Sequence, residues 1–141
     1  MNFEVTNKKI EDLPIEALAV PLFDNEAGRE ILRHLQENFD VDFASVIETI
    51  PDFYSKEKTE VVFVKKKLKI VIIAGIKDRS LISLEKAFGR IAKRAKEYKI
   101  RNLGIMIDHL SHDFQTSKII PLISEAFLLS TYEFLKYKKE A

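Results

Sequence analysis

The sequence predicts an α/β fold, and three observations carry that prediction. Residues 70–75 (IVIIAG) and residues 103–108 (LGIMID) are short apolar runs of strand length, and residues 84–98 between them carry apolar side chains at helical spacing. A further apolar helix begins at Lys118 and runs into a lysine-rich tail. Strand, helix, strand, helix is the signature of an α/β half-sheet.

Composition narrows the function classes. A chain of 141 residues suits one domain and is long enough to bury a core without disulfides or metal. The 23 Lys and Arg nearly balance the 22 Asp and Glu, so no global field draws in nucleic acid or an anionic membrane. With no cysteine, a disulfide framework, a thiolate zinc site and a cysteine nucleophile are excluded. The opening stretch MNFEVTNKKIEDLP has no apolar core of the kind a signal peptide needs, and the apolar runs fall well short of the ~20 residues that span a bilayer. A cytoplasmic protein is the expectation.

The first half is read element by element. Residues 3–6 read as a short strand and residues 15–23 (IEALAVPLF) as another; Pro21, which lacks an N–H, suits an edge or a strand end. Asp24 or Asn25 can cap a helix reaching about Phe39, with Ala27, Ile31, Leu32 and Leu35 on one face and Gly28 weakening its first turns. Asp42 can cap a short helix whose Phe43, Val46, Ile47 and Ile50 form one stripe, and Pro51 helps end it. Residues 52–58 are a polar loop. Residues 59–64 (TEVVFV) and 68–74 then read as strands joined by the turn Lys65-Lys66-Lys67, taken as a solvated loop rather than a phosphate cradle. Residues 70–74 do not alternate, so both faces of that strand are expected to be covered.

In the second half, Ser83 reads as the N-cap of a helix whose Leu84, Ala87, Phe88, Ile91, Ala92 and Ala95 form a core stripe. The last helix places Ile119, Ile123, Phe127 and Phe134 among many apolar residues, with Pro121 expected within about its first turn, where a missing N–H costs least.

Candidate chemistry is sparse. His109-Leu110-Ser111-His112-Asp113 is the one cluster of metal-ligand residue types; it follows a strand, where α/β proteins place ligands, but no helix aligns its imidazoles. It reads as a polar loop. The segment Gly75-Ile76-Lys77-Asp78-Arg79-Ser80 leads from strand to helix, yet its single glycine matches neither GxxxxGK[ST] nor GxGxxG. Lys86, Arg90 and Lys93 share the outer face of the clearest helix, flanked by Arg94 and Lys96 and interrupted by Glu97. That face is read as solvated, with DNA contact as the alternative. Neither a GxSxG elbow nor HExxH is present.

Four segments carry a resemblance: Leu18-Ala19-Val20-Pro21-Leu22-Phe23; residues 69–75 followed by Ile76-Lys77-Asp78; Leu84-Glu85-Lys86 with its helix; and Glu125-Ala126-Phe127-Leu128-Leu129-Ser130-Thr131-Tyr132-Glu133-Phe134 with Tyr137-Lys138. In order and spacing they resemble the N-terminal domain of the leucyl aminopeptidase (cytosol aminopeptidase) family. The likeness is best from Ile70 onward and poor over residues 24–58.

The resemblance implies a three-layer α/β/α fold with a mixed, mostly parallel central sheet, similar to macro domains. It implies one accessory domain over residues 1–138, with residues 139–141 starting a linker. A catalytic domain holding two divalent metals, zinc or manganese, would follow and remove N-terminal residues from peptides. No catalytic, cofactor or metal residue transfers to this chain, because those motifs belong to the second domain. The implied partners are that domain and further copies in a hexamer, with DNA for some bacterial members; no membrane is implied. The macro-domain likeness raises ADP-ribose, but four glycines and no glycine-rich loop argue against it. A self-associating structural subunit, using apolar residues of the last helix, is the remaining alternative.

Overall fold

The central strand of the computed structural model, β1 (Ala17–Phe23), is buried along its whole length. The structure describes the backbone of residues 13–140 and the side chains of residues 13–128. The strand expected at residues 3–6 and the side chain of Phe134 lie outside these. After β1 come α1 (Glu26–Phe39), α2 (Phe43–Glu48), β2 (Thr59–Phe63), β3 (Ile70–Ile76), α3 (Leu81–Glu97), β4 (Leu103–Ile105), a 3-10 turn (Asp108–Leu110) and α4 (Thr116–Glu140).

The sheet order is β2-β3-β1-β4. β1 pairs in parallel with β3, from Ala17 opposite Ile70 to Phe23 opposite Ile76, and with β4, from Ala17 opposite Leu103 to Ala19 opposite Ile105. β2 runs antiparallel to β3 and joins it through the lysine turn. The sheet is therefore mixed and mostly parallel, as expected.

Side-chain alternation along the strands splits the core in two. Ala19, Phe23, Ile72, Ala74 and Ile76 face α3 and α4, against Leu84, Phe88, Ile91, Ile119 and Ile123. Leu18, Val20, Leu22, Val71 and Ile73 face α1 and α2, against Leu32, Leu35, Phe39, Phe43 and Ile47. Helices on both faces make a three-layer α/β/α fold. Among the described residues no helix is long and apolar enough to cross a membrane.

Local expectations are revised in five places. Pro21 lies in the central strand, not at an edge. Ala19 turns its carbonyl toward β4, where Met106 N–H donates to it at 3.0 Å, so the alternation turns Pro21 the same way. β4 has already ended there, so the absent N–H breaks no ladder bond, and the Pro21 carbonyl accepts from His109 Nε2. Gly28 is more than a weak helix residue, because a Cβ there would collide with the Phe23 carbonyl oxygen. It lets α1 start tightly against the end of β1.

The N-cap of α3 is Ser80, not Ser83. Asp78 accepts from Ser80 Oγ at 2.6 Å and from Ser83 Oγ at 2.8 Å, drawing Ser83 inside the first turn, where it is buried. β4 is shorter than residues 103–108, because the chain bends at the 3-10 turn to bury Leu110. Pro121 falls in the second turn of α4, since Ile119 N–H already bonds the Gln115 carbonyl at 3.2 Å. It sits on an exposed position, where water can serve the carbonyl left free.

Candidate functional site

In a parallel sheet, ligands bind outside the carboxyl ends of the strands, where loops from adjacent strands leave toward opposite faces. Here β1 leads to α1 on one face and its neighbour β3 leads to α3 on the other. The crevice between them is filled by the chain itself. Phe23 stacks on Phe114 with ring centroids 6.0 Å apart. Arg79 Nε meets Asp113 Oδ1 at 2.9 Å, tying the β3–α3 loop to the segment after β4. The first turn of α3 holds the Asp78 carboxylate, which hydrogen bonds from Ser80 and Ser83 pull down to a pKa of about 2. A helix N-terminus so occupied already has its anion. Gly75 has its own packing reason, since a Cβ would lie 2.8 Å from the Phe53 carbonyl oxygen and 2.9 Å from its ring.

The His109/His112/Asp113 cluster does not converge. His109 turns inward to the Pro21 carbonyl, and its Nδ1 is buried without a partner. Burial holds its pKa below the ordinary value, against opposite pulls from the Pro21 hydrogen bond and Asp108. His112 is exposed and Asp113 serves Arg79. Among the described residues, no group of three or more His, Asp or Glu side chains is placed to hold a metal.

The basic face of α3 is also taken apart. Arg90 does not share the outer face with Lys86 and Lys93. Its guanidinium reaches over β3 to the loop before β2, where Nη1 donates to the carbonyls of Glu57 at 2.5 Å and Lys58 at 2.8 Å and to Thr59 Oγ1 at 3.1 Å. Nη2 donates to the Gly75 carbonyl at 2.6 Å. Arg94 is paired with Glu97 at 2.8 Å. Lys86 and Lys93 remain as exposed cations of the proposed DNA contact. Two intramolecular commitments out of four leave a narrow surface for a duplex.

Two features lie away from the carboxyl ends of the parallel strands. A cleft of about 210 Å³ opens near the start of β1, lined by Leu13, Ile15, Phe39 and Leu68 with Asn38, Lys66 and Lys67 on its polar side. On the other face, Phe63 at the end of β2 is 64% exposed and meets Tyr98, 42% exposed, edge to face at 5.7 Å. The sequence reading missed this aromatic pair. Phe63 shares the parity of Val61, which faces α3, and that was the legible signal; that Tyr98 closes α3 beside it depends on tertiary packing.

No known family model matches the chain, and no curated protein matches it.

Proposed function

We propose that this chain is a non-catalytic accessory domain of a metal-dependent leucyl aminopeptidase, acting in the cytoplasm and contributing to assembly of the enzyme. The reading rests on one observation: the four segments that resemble the family's N-terminal domain fall, in order, on β1, β3, α3 and α4. In this reading the two divalent metals and the residues that cut the peptide sit in a catalytic domain of the same polypeptide. The present chain supplies a rigid body and surfaces for contact.

The test begins with the gene. The reading frame should continue past the codon for Ala141 into a segment with clustered Lys, Asp and Glu ligands. The longer product should hydrolyse Leu-p-nitroanilide with zinc or manganese, and the 141-residue chain should not. A frame that stops, or metal-dependent turnover by the short chain, sinks the proposal.

A further inference from the structure

β2 is the outermost strand on its side of the described sheet, and its hydrogen-bonding directions can be assigned. Gly75 N–H donates to the Lys58 carbonyl at 2.9 Å, and Val64 N–H donates to the Lys69 carbonyl at 2.8 Å. In an antiparallel pair the bonded positions alternate, so Lys58, Glu60, Val62 and Val64 turn their backbone groups toward β3. Thr59, Val61 and Phe63 turn theirs outward. The same three residues point their side chains to the α3 face: Thr59 to Arg90, Val61 into the core and Phe63 to Tyr98. Natural edge strands are usually blunted by charge or proline along the strand itself. This one is short and carries one charge, Glu60, and it ends in an exposed aromatic pair with its lysines grouped just beyond.

We infer that the β2 edge is a self-association surface, on which a second copy of this chain pairs antiparallel through its own β2 to continue the sheet across a twofold axis. The register can be chosen by physical argument. With the axis at Val61, Thr59 of one copy faces Phe63 of the other, and every outward donor and acceptor of Thr59, Val61 and Phe63 is matched. Sliding one way puts Glu60 opposite Glu60 of the second copy, a like-charge pair that destabilises. Sliding the other way pairs Thr59 with Lys65, outside the strand, and leaves fewer matched groups. The central register also sets Glu57 toward Lys65 of the second copy, twice by symmetry, so the acidic approach to β2 meets the basic exit. On the α3 face, Phe63 with its Tyr98 neighbour covers Thr59 and Val61 of the second copy. The surface is small, so the dimer forms at high protein concentration rather than permanently.

This inference takes up the assembly role proposed above and names the surface that serves it. The test is sedimentation of the full chain from micromolar to millimolar concentration, with amide exchange read residue by residue. The mass should rise from 16.3 kDa toward twice that. The amides of Thr59, Val61 and Phe63 should become protected as it does, while Val62 is protected throughout. Val61→Pro removes an outward donor without touching the β3 ladder, and Phe63→Lys adds charge at an exposed position. Both should remain monomeric, and the second guards against misfolding of the first. A monomer at every concentration overturns the inference, as does undiminished dimerisation of Phe63→Lys. Protection of the three amides that does not vary with concentration would put an intramolecular partner on the edge and also overturn it. A monomer leaves the aminopeptidase reading standing, and a gene that stops at Ala141 leaves the dimer result standing.

Discussion

At Arg90 a residue that looks like a surface cation closes the sheet's flank. Its guanidinium holds the carbonyls of Glu57 and Lys58 in the loop before β2 and that of Gly75 in β3. These bonds join α3 to two segments distant in sequence, and the fork is half-buried. Arg90→Ala removes charge-assisted bonds and strands carbonyls partly out of water, which should cost about 2–4 kcal/mol in urea unfolding. Arg90→Lys should recover only part of that, because a single ammonium cannot span carbonyls on two sides of the site. Full recovery by lysine would mean that charge, not the planar fork, is what the site uses. Helical spacing could not reveal this inward turn, since a long flexible stem lets an arginine leave the face its Cα implies. For the same reason a DNA-binding test should change Lys86 and Lys93 to Glu and leave Arg90 alone.

At the element scale, the two helical glycines Gly28 and Gly89 look equivalent in sequence and should behave oppositely. Nothing lies within 4 Å of a Cβ added to Gly89, so Gly89→Ala should gain about 0.5–1 kcal/mol from helix propensity. A Cβ on Gly28 meets the backbone of β1, which cannot swing aside, so Gly28→Ala should lose about 1–3 kcal/mol. Paired thermal or urea unfolding of both variants checks the sign, and a stabilised Gly28→Ala would show that α1 can lift off β1 freely. The contrast marks where sequence reasoning stops. Strong periodicity located α3 and the buried run of β3, because one face or both must meet apolar neighbours whatever the topology. Asn25 and Asp42 were readable as caps because their bonds are local, to Gly28 N–H at 2.8 Å and Ser45 N–H at 3.2 Å. The true start of α3 was not, because Asp78 competes for the same serines. Pro21 was misjudged because only the end of β4 decides which side of β1 is open. Of the candidate site, the strand-end location was legible, while the inward turn of His109, the Arg79–Asp113 bridge and the Phe63–Tyr98 pair are long-range contacts with no local pattern.

At the scale of the whole molecule, polar contacts at the strand ends add to the apolar packing that joins the layers, and these should give its stability a two-limbed pH dependence. His109 pins the segment after β4 to the central strand, and burial keeps its folded pKa below the ordinary value of about 6.5. Above that value the ring is neutral in both states and its contribution is complete. As pH falls below it, the unfolded chain takes up a proton that the folded chain refuses, so stability declines until the folded pKa is reached. The second limb belongs to carboxylates. Asp78, lowered to about 2, and Glu16 and Asp42, lowered by backbone and side-chain hydrogen bonds, favour the folded state above their ordinary values near 4 and lose that effect in more acid solution. All three are exposed, so the second limb should be shallow for each group and visible only in sum. Melting temperatures from pH 8 to pH 3 should therefore hold level, step down below about pH 6.5, and fall again below about pH 4. His109→Gln keeps an N–H for the Pro21 carbonyl and carries no titrating ring, so it should erase the first step and leave the second. A wild-type profile flat between pH 7 and pH 5, or a Gln variant that keeps the first step, would show that His109 does not govern how the strand ends respond to acid.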